Sequence, residues 1–189
     1  MDLRRFLPVS SGTARPAEPT LSASDTQTVR RIAAQLDALP IDRARYLAAF
    51  AYILTRAASA DMEISDVESR SIERLVEEYG DLPEAQAVLV AQIARNQSLL
   101  YGSTEDYLVT RQFHDLSTDE QRLSLLRCCY LVGAADDTIT AEESDTLQQI
   151  AKELDVDREA VTAIRTEFAP KLSAIQAMLR LQQGKTQPG

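Results

Sequence analysis

The stretch Ala60-Asp61-Met62-Glu63-Ile64-Ser65-Asp66-Val67-Glu68 decides the fold, because it returns 75 residues later without a gap as Ala135-Asp136-Asp137-Thr138-Ile139-Thr140-Ala141-Glu142-Glu143. The shared pattern is Ala-Asp-x-x-Ile-[Ser/Thr]-x-x-Glu. Its second half is a helix start. Ser65 with Glu68, and Thr140 with Glu143, have the capping-box spacing, in which hydroxyl and carboxylate each take an otherwise unpaired backbone N–H of the first turn. The same shift carries the stripe Ile72, Leu75, Val76, Tyr79 onto Leu147, Ile150, Ala151, Leu154. It also carries Ala85, Val88, Leu89, Ile93 onto Ala160, Ala163, Ile164, Phe168. These are spacings of one helix face, so each copy predicts three helices, with the repeats at about 41–95 and about 117–169. Neither copy alone has enough apolar surface for a core, and two that bury matching stripes against each other do. The expected fold is all-α, a compact helical bundle of about seven to eight helices built from two pseudo-symmetric three-helix repeats.

Working outward, a helix over Thr26–Leu39 ends at Pro40, and the next starts after Asp42, a candidate N-cap, and runs to about Ala60. In it Leu47, Phe50, Ala51 and Leu54 make one stripe while Ala48, Ala49, Tyr52 and Ile53 make the other faces nearly apolar. A helix apolar all round belongs in the middle of a bundle. Gly80 is placed to end the helix that follows Ser65, and Pro83 to open the next. A shorter helix is expected over Thr104 to His114. Ser117 with Glu120 predicts another capping box, opening a helix that holds Leu123, Leu126, Cys129 and Val132. A terminal helix runs from Pro170 to about Gln183. Residues 1–25, rich in Ser, Thr, Pro and Ala, read as a flexible tail, 26–183 as the folded domain, and 184–189 as a polar tail.

Composition agrees with one helical domain. Of 189 residues 44% are apolar, and the few glycines and prolines, with no strand-like Val/Ile/Thr runs, argue against a sheet. The formal net charge is −9. Nucleic-acid affinity depends on lysine and arginine displacing condensed cations, so general nucleic-acid binding is not expected. The excess is localised: residues 61–84 and 136–159 each hold nine acidic and two basic groups, a net −7 apiece, which leaves the remainder at +5. The longest uncharged apolar run, Tyr46 to Leu54, is well short of the roughly 20 residues a bilayer requires, so no direct membrane insertion is expected. The opening Met1-Asp2-Leu3-Arg4-Arg5-Phe6-Leu7-Pro8 lacks the long apolar region of a secretory signal, and a cytoplasmic location follows as the default. Cys128 and Cys129, adjacent in an apolar stretch, read as buried core residues.

The twice-present helix, Ala-Asp-x-x-Ile-[Ser/Thr]-x-x-Glu, helix pattern resembles the TerB-like family of tellurite-resistance-associated proteins, over roughly Ile41 to Phe168. The same domain type occurs at the start of a membrane-anchored J-domain co-chaperone. The resemblance implies an all-helical domain with a non-enzymatic role in bacterial stress and tellurite resistance, acting through protein partners. It also leaves open a divalent metal such as calcium at the family's acidic sites. By motif position these sites fall on Asp61, Glu68, Asp136 and Glu143. Where the family usually has glycine after the aspartate, this chain has Met62 and Asp137.

Two readings of the four carboxylates stand side by side. Glu68 and Glu143 can complete capping boxes and complement the helix dipole, which is a structural role. Asp61 and Asp136 lie too far before the N-caps for that, and a tight turn could bring each to its glutamate as a cation site, although one loop offers few of the six to eight oxygens calcium takes. An enzyme is not expected. His114 is the only histidine, and no nucleophile elbow, phosphate loop or dinucleotide fingerprint accompanies it.

Overall fold

A computed structural model describes residues 39–61 and 64–184. They form helices α1 (Ile41–Ala58), α2 (Asp66–Gly80), α3 (Glu84–Leu116), α4 (Asp119–Gly133), α5 (Ala141–Glu153), α6 (Arg158–Glu167) and α7 (Ser173–Gly184), with 3-10 turns at Ser59–Asp61 and Ala169–Lys171. The described residues contain no strand, and among them no helix is long and apolar enough to cross a membrane. The expected tail over 1–25, the helix over Thr26–Leu39 as far as residue 38, and residues 185–189 lie outside the described residues.

The central helix is α1, as its all-round apolar character requires. Every residue from Ala44 to Ala58 is buried, and α2, α3, α4 and α5 all pack on it. Aromatic rings tie it to its neighbours: Tyr46 lies 4.9 Å from Phe113 of α3 and Phe50 lies 5.7 Å from Tyr79 of α2, between centroids. Side chains such as Leu47, Phe50, Ile53 and Leu54, wholly shielded, each contribute about 1.5–3 kcal/mol of burial.

Two helix starts follow the 75-residue shift of the sequence to within one residue. Moving α2 and α3 forward by 75 residues puts their starts at 141 and 159, where α5 starts at Ala141 and α6 at Arg158. Both inter-helix capping boxes form as predicted, at Ser65–Glu68 and Thr140–Glu143. The third helices then diverge. Copy two stops at Glu167, before Pro170, and the chain turns so that Ile139 N–H donates to Lys171 O at 2.7 Å and Ser173 N–H to Ile139 O at 2.9 Å. Copy one has Arg95 at the position of Pro170, and its helix runs on for 33 residues.

That continuity corrects the expected break before Thr104. Gly102 costs a helix interior about 1 kcal/mol relative to alanine, but packing on both sides outweighs it. Ala94 and Ser98 are buried before the glycine, Val109 and Phe113 after it. The inward face of α3 is also rotated from the predicted one. Ala87, Val90, Ala91 and Ala94 are buried, while Ala85 and Leu89 are exposed and Val88 and Ile93 only half-buried, because the small alanine face lets α3 approach α1 and α2 closely. In copy two Ile164 and Phe168 are buried, but Ala163 is exposed. Tyr79 and Leu123, expected inside, are about two-fifths exposed.

Two further starts move. The N-cap of α1 is Pro40, and Asp42 sits in the first turn with its carboxylate 3.1 Å from Arg45. The capping box of α4 is Thr118 with Gln121, one residue beyond Ser117 and Glu120; Ser117 instead ends α3, its hydroxyl donating to Phe113 O at 2.7 Å. The last helix starts at Ser173, after the turn that contains Pro170. Cys128 and Cys129 are buried free thiols as expected, with Cys128 pushed up to about 11 by burial, which leaves it protonated and inert.

Candidate functional site

The two capping boxes bring their glutamates together. In the first, Ser65 N–H donates to Glu68 Oε2 at 2.8 Å and Glu68 N–H donates to Ser65 Oγ at 3.2 Å. In the second, Thr140 N–H donates to Glu143 Oε2 at 2.7 Å and Glu143 N–H to Thr140 Oγ1 at 3.2 Å. Both side chains are buried, with Glu68 5% and Glu143 3% exposed, and the Glu68 carboxyl lies beside that of Glu143. Residues related by the repeat therefore meet at the junction of the copies. Gly133 of α4 backs the pair: a Cβ there would stand 3.7 Å from Glu143 Oε1.

Two adjacent buried carboxyls cannot both ionise cheaply. Glu143 is accordingly pushed up to about 7, chiefly by burial; the cap hydrogen bonds from Thr140 oppose this and the neighbouring Glu68 adds to it. Protonated, the Glu143 carboxyl can donate to the Glu68 side chain beside it.

The aspartates behave differently. Asp136 is exposed, and its Oδ1 accepts the N–H of Thr138 at 3.1 Å, closing its own loop. Asp61 ends the 3-10 turn that packs against α5, and its side chain lies outside the described residues. Asp137, where the family pattern has glycine, has φ 75°, in the left-handed region. The backbone needed there survives the missing glycine, since aspartate tolerates it better than most residues. Lys171 donates a hydrogen bond to the Asp137 carboxylate and holds it below the usual carboxylate range. A β-branched side chain has no such tolerance. Asp137→Val is expected to lower stability by about 1–2 kcal/mol and Asp137→Gly to cost less, as read by urea unfolding.

Calcium takes six to eight oxygens. The described residues contain no group of three or more His, Cys, Asp or Glu side chains that could hold a metal ion. Glu68 and Glu143 supply two carboxyls, each with one oxygen already engaged in its cap, so the described residues alone do not fit a calcium shell. Most of the other described acidic groups of the two stretches face outward, Glu153 being the buried exception. Asp66, Glu77, Glu78, Asp81 and Glu84 are exposed in the first acidic stretch, as are Asp137, Glu142, Asp145, Asp155, Asp157 and Glu159 in the second.

A second polar cluster went unrecognised in the sequence. Arg56, buried on α1, donates to Glu153 Oε2 at 2.5 Å and Oε1 at 3.2 Å and to Thr110 Oγ1 at 2.9 Å. Its Nε lies 3.5 Å from Asp106 Oδ2, and Tyr52 OH donates to Asp106 Oδ1 at 2.8 Å. The cluster joins α1, α3 and α5. Its only sequence signal is a lone arginine closing an apolar run. His114, in the last turn of α3, is half-buried with Nδ1 3.0 Å from Asp115 Oδ1.

Residues 46–166 match the family model described as tellurite resistance protein TerB. No curated protein and no solved structure gives a match.

Proposed function

Because the chain belongs to the TerB family of tellurite resistance proteins, its bundle is a tellurite-resistance-related helical module, and we propose that it acts without catalysis, by binding protein partners in a cytoplasmic stress response of a bacterium. The observation that carries this reading is the outward orientation of the acidic side chains in two repeat-related stretches. Carboxylates on a surface attract a basic partner over a Debye length and set its approach, whereas a buried carboxyl does not. The buried Glu68 and Glu143 serve the fold, and the exposed acids serve recognition.

The test is capture of partners from a bacterial lysate by the native chain and by a variant carrying Asp66→Asn, Glu77→Gln, Glu78→Gln, Glu142→Gln and Asp145→Asn. Loss of specifically retained proteins is the expected result. An unchanged set of partners counts against the acidic surface.

The alternative reading is a divalent-cation sensor or buffer of calcium type using Asp61, Glu68, Asp136 and Glu143. What favours it is the convergence of two of these carboxyls at one point. A calorimetric titration with calcium separates the readings: saturable heat abolished by Glu68→Gln supports the cation site, and none at millimolar calcium removes it.

A further inference from the structure

On the side of α2 turned away from the core, a groove of about 360 Å³ runs between α2 and α4. Val67, Arg70, Ser71 and Arg74 form its α2 wall at i, i+3, i+4, i+7, and Leu131 of α4 with Ala135 of the turn after it forms the opposite wall. This stripe adjoins the one that α2 buries, which holds Ile72, Leu75 and Val76, with the buried Ser71 at the boundary between them. Val67 and Leu131 are 43% and 39% exposed, so the groove offers apolar surface to solvent.

The charges at this groove run against their surroundings. Residues 61–84 hold nine acidic groups and two basic ones, and both basic ones, Arg70 and Arg74, line the groove. Both arginines also border a second depression, which they share with Glu73, Glu77 and Glu84, and none of these acids lines the groove. Among the described residues Arg70 and Arg74 have no ion pair within 4.0 Å. The repeat supplies an internal comparison. Its second copy has Glu142, Asp145 and Gln149 at the positions of Val67, Arg70 and Arg74. A helix of this fold thus forms with the opposite polarity at these sites, and the apolar and cationic character of the groove is not a requirement of packing.

We propose that this groove docks an acidic amphipathic helix of a partner protein. Apolar side chains of that helix seat on Val67 and Leu131, and two carboxylates one turn apart meet Arg70 and Arg74, which are themselves one turn apart. The stripe from residue 67 to 74 spans about 10 Å, two turns of a facing helix. Such helix-in-groove recognition reads anchors at i, i+3 or i+4 and i+7, with charge at the rim setting orientation. The surface is distinct from the acidic one proposed above and calls for a partner of opposite charge.

Fluorescence polarisation tests it with a labelled, capped helical peptide of 16 residues carrying leucine at i, i+4 and i+7 and glutamate pairs one turn apart, and with its twin in which every glutamate is lysine. The native chain is expected to bind the glutamate peptide saturably. Arg70→Glu with Arg74→Glu weakens that binding at least about tenfold and gains affinity for the lysine twin, while Leu131→Ser weakens binding of the glutamate peptide. Circular dichroism of each variant verifies that the helices are retained. The proposal is overturned by no saturable binding of the glutamate peptide, by binding indifferent to the charge reversal, or by arginine-dependent binding to phosphatidylglycerol vesicles in place of the peptide.

Discussion

Arg56→Met lowers the unfolding free energy by about 3–5 kcal/mol, the range for removing one partner of a buried ion pair and stranding the other. For a chain of this length that is a fall of roughly 10 °C in Tm. Among the described residues the guanidinium is the only cation paired with Glu153, whose side chain is 5% exposed, and it also faces Asp106. Burial alone would push Glu153 up, but the hydrogen bonds from Arg56 and Gln149 outweigh it and hold the carboxyl below its ordinary range. A depressed carboxyl adds stability that is present above its unfolded pKa and lost as pH falls through the folded one. Arg56→Met therefore removes stability at neutral pH and flattens the acid limb. Adding Glu153→Leu to Arg56→Met recovers part of the loss, because it removes the more deeply buried of the two carboxylates that Arg56 faces and leaves the part-exposed Asp106 with the Tyr52 hydroxyl. Urea unfolding followed by circular dichroism at neutral pH and at pH 4 checks both outcomes.

The second large effect has the opposite sign. Glu143 has a folded pKa of about 7, raised from the ordinary 4.5 chiefly by burial. The native state binds this proton more tightly than the unfolded chain. Its contribution is thus fully present below 4.5, fades as pH rises through 7, and is gone above that. Glu143→Gln keeps an oxygen for Thr140 N–H and offers Glu68 a permanent donor, so it mimics the protonated form. The variant is expected to match the native chain at pH 4 and to be the more stable of the two at pH 8, as read by urea unfolding.

Local chemistry was readable in the sequence, and long-range meetings were not. The capping boxes at Ser65 and Thr140, the central place of the Tyr46–Leu54 run and the burial of Cys128 and Cys129 all follow from neighbours a few residues apart. At the α3–α4 junction two overlapping hydroxyl and carboxyl or amide pairs competed, and Thr118–Gln121 formed instead of Ser117–Glu120. The long α3 is another case, since its weak helix formers around Gly102 are overridden by packing against α1. Arg56 and Glu153 are 97 positions apart, and periodicity carries no information about such a pair. The Glu68–Glu143 contact was latent in the repeat. The 75-residue shift marks the two glutamates as equivalent without saying that equivalents touch. Family position grouped the aspartates with the glutamates, whereas the structure puts Asp136 in water and the glutamate pair inside.

At the centre of this account is a division of labour among the carboxylates, with Glu143 held protonated beside Glu68 inside the bundle and the exposed acids left for a partner. Carbon-13 NMR titration of glutamate-labelled chain, with Glu68→Gln and Glu143→Gln used for assignment, tests it most directly. One side-chain carboxyl of the pair is predicted to stay protonated until about pH 7 and to keep its chemical shift when calcium is added to millimolar concentration. Titration of both carboxyls in the ordinary glutamate range, or a saturable calcium-dependent shift at both, contradicts it.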